Sequence, residues 1–107
     1  MKNSIYSHGL DKNPANHVAQ TPLTFIERSA RVYPNHTAVI HGSIRRNWRQ
    51  TYERCCQFAS ALHHFGIKKF DTLAVMLPNI PAMVEAHFAV PMTGAVLCAL
   101  NTRLDAK

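Results

Sequence analysis

Two short apolar runs near the carboxyl-terminal end of the chain constrain its fold most strongly. Residues 73–77 and 96–100 carry only apolar side chains, which is typical of strands buried on both faces of a parallel sheet. Between them, apolar side chains recur at roughly helical spacing, and Gly94 follows as a helix terminator. This order predicts a βαβ unit with parallel strands and a right-handed crossover. Because such strands need covering layers on both faces, we expect an α/β fold with a larger sheet.

The segment before this unit opens with a polar stretch and a helix. Residues 1–20 are polar and aperiodic, so we expect a lead-in segment there and a folded domain in residues 21–107. Thr21 followed by a proline predicts the start of a helix. One apolar face of that helix is predicted to carry Leu23, Ile26, Ala30 and Tyr33.

A hairpin and a longer helix are predicted next. Strands at residues 38–41 and 44–47 flank a two-residue turn that begins with Gly42, where glycine suits a type II′ geometry. Asn47 and Gln50 then have the spacing of a capping box. The helix carries an apolar stripe made of Trp48, Tyr52, Cys55, Ala59 and Leu62. Phe58 and Phe65 widen this stripe, and Gly66 ends the helix.

The composition excludes several classes of protein. The chain has 107 residues, 47% of them hydrophobic, which allows one small globular domain. It has neither a membrane-spanning apolar run nor the apolar core of a signal peptide, so we expect a cytoplasmic location. The net charge of +6 is spread along the chain without interleaved aromatic side chains, which argues against nucleic-acid binding. The chain has three cysteines, an odd number, and none of them has CxxC spacing. We therefore predict reduced, buried thiols at Cys55, Cys56 and Cys98.

No spacing of polar residues predicts a catalytic or metal site. The seven histidines lack the spacing of metal ligands. Three carboxylates are isolated and have no paired partner: Asp71, Glu85 and Asp105. Asn101 and Arg103 follow the second predicted strand, where α/β sheets bind ligands, but a structural turn is the favoured role. We therefore predict that no residue of this chain is catalytic, binds a cofactor or ligates a metal.

Three stretches nevertheless resemble one enzyme family, and together they cover roughly residues 15–106. Residues 21–40 are similar to the opening helix and first strand of the family, and residues 48–66 to its first core motif. Residues 71–104 are similar to its second core motif, a glycine–alanine turn into a strand that ends in Leu-Asn. On these residues the chain resembles the AMP-forming acyl-activating enzymes, which are the acyl-CoA synthetases and their adenylating relatives.

The resemblance implies a two-step reaction for the intact family. A carboxylate and ATP form an acyl-adenylate, and the thiol of coenzyme A then displaces AMP, so the implied cofactors are ATP, magnesium and coenzyme A. The sequences of residues 85–92 and 99–106 are most similar to the branch of the family that uses fatty or aromatic carboxylic acids. The family's phosphate-binding loop, ribose-binding aspartate, magnesium-placing glutamate and catalytic lysine have no counterpart in this sequence. We therefore predict an amino-terminal ligase fragment that is inactive by itself.

Two other functions stay open on the sequence alone. The chain could be a small binding or regulatory module derived from such an enzyme, or, as the least favoured alternative, a basic nucleic-acid-binding protein. For the fragment, we expect no membrane span and no nucleic acid, and we expect the remainder of a split enzyme as a partner. We also expect self-association through an exposed edge of the sheet.

Overall fold

A computed structural model describes residues 5–104, in which the chain folds in the predicted order. Ile5–Ser7 form a single 3-10 turn. The helices and strands that follow are α1 (Pro22–Val32), β1 (Thr37–His41), β2 (Ile44–Asn47), α2 (Trp48–His64), β3 (Thr72–Val75), α3 (Pro81–Met92) and β4 (Val96–Ala99). The mixed α/β class predicted from the sequence is confirmed, and none of the helices within the described residues is long and apolar enough to span a bilayer.

Local capping signals define both ends of α2. The side chain of Asn47 accepts a hydrogen bond from the N–H of Gln50 at 2.8 Å, and the side chain of Gln50 accepts one from the N–H of Asn47 at 3.0 Å. At the other end, Gly66 adopts a φ of 89°, and its N–H donates to the His63 carbonyl at 3.0 Å. The N–H of Ile67 donates to the Leu62 carbonyl, which completes a Schellman motif. Both predicted boundaries of this helix are confirmed.

Within the described residues, the strands of the hairpin and the strands of the βαβ unit form two separate two-stranded sheets. β1 and β2 pair antiparallel, with an irregularity between Thr37 and Val39, and Gly42 has the positive φ expected at the turn. β3 and β4 pair in parallel, with Leu73 opposite Leu97. The βαβ prediction is confirmed, although the strands end at Val75 and Ala99, short of the predicted boundaries.

The core lies between α2, α3 and one face of the parallel strands. Leu62, Val90 and Ala95 are its buried members, and the partly buried side chains around them are Phe58, Ile67, Leu73 and Leu97. Alternate side chains of the strands point away from this core, and Val96 is 53% exposed. Within the described residues, β3 and β4 are covered by α3 and α2 on one face only, and the larger sheet with covering layers on both faces stays a prediction.

Several side chains predicted to be buried are exposed instead. Phe65 is 83% exposed, because it is the C-cap residue of α2 and no longer follows the helical stripe. Tyr33 caps the end of α1 and is 53% exposed; its ring stacks on His36 with centroids 5.2 Å apart. Of the three thiols, only Cys55 is buried, whereas Cys56 and Cys98 are exposed. Cys56 of α2 and Cys98 of β4 are therefore not part of the core.

Candidate functional site

A cleft of about 480 Å³ opens where the two parallel strands end. Residues 77–79 and 100–103, which follow β3 and β4, form its walls together with Met83 of α3. The N–H of Leu100 donates to the Val75 carbonyl at 2.8 Å, so the strand pairing continues up to the edge of the cleft. Open α/β sheets bind ligands outside the carboxyl ends of their strands. This cleft is therefore the candidate site on grounds of topology.

The side chains lining this cleft are suited to binding rather than to catalysis. Asn101 Oδ1 accepts a hydrogen bond from the N–H of Arg103 at 2.9 Å, so the turn role predicted for Asn101 is confirmed. The remaining polar groups are the guanidinium of Arg103, the amide of Asn79 and the hydroxyl of Thr102. No carboxylate, imidazole or thiol lines the cleft among residues 5–104. The cleft offers hydrogen-bond donors and one positive charge, but no general base.

A buried carboxylate lies on the helix beside this cleft. Glu85 of α3 is only 4% exposed, and its carboxylate accepts hydrogen bonds from Arg54 Nε at 2.8 Å and Arg54 Nη2 at 3.2 Å. Arg46 Nη1 donates to the same carboxylate. The prediction that Glu85 has no paired partner is therefore wrong. The single carboxylate of the mostly apolar α3 was the available sequence signal, but its two arginine partners lie in β2 and α2, 39 and 31 residues away in sequence.

The ion pairs change the electrostatics of the surrounding groups. The hydrogen bond and the charge of Glu85 raise the pKa of the Arg54 guanidinium above its ordinary value, so this group stays positively charged. Burial, with the nearby carboxylate of Glu85, raises the pKa of the Cys55 thiol to about 11. A thiol acts as a nucleophile only when it is deprotonated. Cys55 is therefore a packing residue.

The arginine–glutamate cluster also forms part of a second cleft. This cleft has a volume of about 290 Å³ and includes Arg46, Arg54 and Glu85 with the start of α3. Ile80 is the N-cap residue of α3 and provides no side-chain hydrogen bond to it. The Glu85 ion pairs hold α3 against the hairpin and α2, and they thereby fix the helix that forms a wall of both clefts.

The other candidate side chains have structural or surface roles. Asp71 Oδ2 accepts a hydrogen bond from the N–H of Lys68 at 2.7 Å, so its predicted role in a turn is confirmed. His87 Nδ1 lies 2.7 Å from the Met83 carbonyl, one helical turn earlier. Within the described residues, no three histidine, cysteine or acidic side chains come together as a metal site. Asp105 lies outside the described residues.

Neither of these two clefts fits a nucleoside triphosphate. Proteins hold phosphates with consecutive backbone N–H groups, usually in a glycine-rich loop. The glycines here are isolated: Gly9, Gly42, Gly66 and Gly94. Of these, Gly94 precedes β4 and therefore lies at the amino edge of the sheet, away from the cleft at the carboxyl edge. Within residues 5–104, neither cleft contains a phosphate cradle.

A family of known enzymes matches most of the chain. The sequence profile described as AMP-binding enzyme matches residues 26–107. The chain is 58% identical over 97 residues to an acetate–CoA ligase of Humulus lupulus, a match that covers 91% of this chain and 17% of that protein. It is 54% identical over 92 residues to a peroxisomal benzoate–CoA ligase of Arabidopsis thaliana, covering 86% of this chain and 16% of that protein. The chain thus spans about a sixth of the length of these relatives.

Solved structures agree with these sequence matches. The structure of a fatty acyl CoA synthetase of Mycobacterium tuberculosis superimposes with a TM-score of 0.73 and 28% sequence identity. That match covers 76% of this chain and 16% of the other. The hairpin, the helices and the βαβ unit are therefore similar to part of a much longer adenylate-forming fold.

Proposed function

Because the chain belongs to the AMP-binding enzyme family, we propose that it is the amino-terminal part of an acyl-CoA ligase. The intact ligase would convert a carboxylic acid to an acyl-adenylate and then to an acyl-CoA thioester. The observation that carries this proposal is the similarity of nearly the whole chain to one segment of known CoA ligases. We propose that the activity of the intact ligase depends on segments that correspond to the unmatched parts of these relatives.

The contribution of this chain to the ligase is structural support. β3, α3 and β4 supply two strands and a covering helix of the sheet, and the Glu85 ion pairs fix α3 in place. The cleft at the carboxyl edge adds donors from Asn79 and Arg103. Since this arrangement lacks a phosphate cradle and a general base within the described residues, we expect no catalysis from the chain alone.

The acid used by the intact ligase is proposed to be a fatty or aromatic carboxylic acid. Relatives named for acetate and for benzoate match this chain at more than 50% identity, which supports that class without separating its members.

The cytoplasmic location stays a prediction, since one of these relatives is named as peroxisomal. Fluorescence microscopy of the intact protein with an internal tag would distinguish the two compartments.

We further propose that residues 21–107 are the amino-terminal part of the large domain of the ligase, preceded by the lead-in of residues 1–20. In the described residues, β3 and β4 pair only with each other, and several apolar side chains near them are exposed: Met76 60%, Val96 53% and Leu100 37%. Open strand edges and apolar patches favour association. The isolated chain is expected to elute from a size-exclusion column as an oligomer, and a sharp monomer peak would contradict this.

ATP–pyrophosphate exchange tests the proposed inactivity of the isolated chain. The purified chain is incubated with ATP, labelled pyrophosphate and, in turn, acetate, a long-chain fatty acid and benzoate. Exchange is expected to stay at the level of a sample without acid, because formation of an acyl-adenylate requires donors and a cation positioned on the phosphates. Exchange clearly above background, with host ligases excluded by a mock purification, would contradict the proposal.

A further inference from the structure

The parallel sheet has one exposed face. Leu73 and Leu97 pack against the core, and successive side chains of a strand point to opposite faces of its sheet. The positions that alternate with these two leucines therefore lie on the other face. All of them are exposed, and we call this surface the outer sheet face: Thr72, Ala74, Met76, Val96 and Cys98.

The composition of the outer sheet face is that of a buried surface. Its side chains are apolar apart from the hydroxyl of Thr72, and none of them is charged. The hairpin of the same chain differs, because the exposed side chain of Arg45 lies in β2. Sheet faces that stay in water carry alternating polar side chains, whereas parallel sheets are covered on both faces. The outer sheet face therefore indicates a layer that the described residues do not supply.

The geometry of crossovers indicates which element forms this layer. Parallel strands are joined by crossover connections, usually helices, and these are almost always right-handed. In this chain α3 is the crossover from β3 to β4, and its Val90 lies in the core together with Leu73 and Leu97. A right-handed crossover on the opposite face must run across the sheet in the opposite direction. The helix over the outer sheet face therefore belongs to a connection other than β3–α3–β4.

A second copy of the chain is a poorer source of this layer than the remainder of the ligase. The apolar stripes of its helices are already packed inside their own copy, where Ile26 of α1, Leu62 of α2 and Val90 of α3 are buried. The remainder of the ligase has no such limit, because this chain spans only about a sixth of the length of the relatives that it matches.

We propose that the outer sheet face is the surface on which the remainder of the ligase docks, with a helix lying across Ala74 and Cys98. These two residues are paired between the strands. Because both are small, they leave a shallow strip between Val96 on one side and Met76 on the other, in which a helix can pack closely. This inference rests on the proposed function, since it names the partner of the chain and the surface that meets it.

Thiol labelling of a reconstituted pair tests the proposal. The chain is co-expressed with the part of the Humulus lupulus acetate–CoA ligase that follows the matched segment, and the complex is purified through a tag on that part. Cys98 is exposed in the chain alone. In the complex its labelling is expected to be roughly tenfold slower or more, because a covered thiol reacts only when the covering layer opens. In urea, the labelling of the two samples should become equal.

A matched pair of variants tests the same surface by recovery of the partner. Cys98→Lys places a charge at the centre of the outer sheet face and is expected to recover roughly a hundredfold less partner, because that charge would be buried without a counter-charge. Cys56→Lys makes the same substitution at an exposed thiol of α2 and should recover the partner as wild type does. Circular dichroism of each isolated variant checks its folding, and the labelling of the unsubstituted complex does not depend on that folding.

The inference is overturned if no complex forms, if Cys98 reacts in the complex as it does in the chain alone, or if the two variants lose the partner equally. Protection of Cys98 in the chain alone, rising with the concentration of the chain, would assign the outer sheet face to a second copy and also overturn it. A complex that protects Cys98 and yet forms no acyl-CoA would support this interface and contradict the proposed function instead.

Discussion

The guanidinium of Arg54 donates two hydrogen bonds to the carboxylate of Glu85, from Nε at 2.8 Å and from Nη2 at 3.2 Å. Arg46 donates to the same carboxylate, so one acidic side chain joins β2, α2 and α3. Glu85 is 4% exposed, and its charge is therefore compensated by arginines rather than by water. These ion pairs are the main polar link between the hairpin and the helix of the βαβ unit.

Replacing Glu85 by glutamine is expected to lower the free energy of unfolding by about 3 kcal/mol, because the carboxylate that compensates two arginines is lost. This is the low end of the usual range for a buried pair, since the side chain of Arg54 is 49% exposed. Urea unfolding followed by circular dichroism measures the change. The matched control is Glu27→Gln, which removes an exposed ion pair with Arg31 and should cost about 0.5 kcal/mol or less. Equal losses in the two variants would contradict the structural role of Glu85.

Leu62→Ala is expected to destabilise the chain by about 2–5 kcal/mol, because it opens a cavity in the core. Leu62 is 7% exposed and contacts the cluster that contains Val90 and Ala95. The neighbouring His63 is exposed, so His63→Ala should cost less than about 1 kcal/mol. Thermal unfolding and the soluble yield compare the two variants. An unchanged midpoint in Leu62→Ala would show that the stripe of α2 is not the core face.

Phe70→Gly is expected to raise the stability of the chain by roughly 1 kcal/mol, because glycine adopts a φ of 72° without the clash that a Cβ causes. The thermal midpoint should rise by about 4–8 °C for a domain of this size. Phe70→Ala is the control, since it removes the ring but keeps the Cβ. A gain in Phe70→Ala equal to that in Phe70→Gly would trace the effect to the ring and not to the backbone.

The three thiols are expected to react differently in the native chain. Cys56 and Cys98 are exposed and should be modified by a thiol reagent at pH 8, whereas Cys55 should react only after unfolding. The cause is burial, which blocks access to Cys55 and raises its pKa to about 11, so that the thiolate is scarce at pH 8. Mass spectrometry of peptides from the labelled native chain locates each modification. Native labelling of Cys55 at the rate of Cys56 would contradict this account.

Local signals in the sequence predicted most of the fold but little of the polar interior. The capping box of Asn47 and Gln50, the glycine after α2 and the apolar runs around α3 act within a few residues, so the pattern alone located these elements. The partners of Glu85 lie in other elements, and no local spacing brings Arg46 and Arg54 to it. The exposed position of Cys98 depends on which neighbours cover β4, and this is also a property of the tertiary structure.

Restored ligase activity tests the central claim most directly. The chain is co-expressed with the part of the Humulus lupulus acetate–CoA ligase that follows the matched segment, and acetyl-CoA formation is measured in the purified mixture. If this chain is the amino-terminal part of such a ligase, the pair should form acetyl-CoA while each piece alone stays at background. Glu85→Gln, which weakens the link between α3 and the hairpin, should reduce the restored activity. A pair that co-purifies as a folded complex and yet forms no thioester with acetate, longer fatty acids or benzoate would contradict the account.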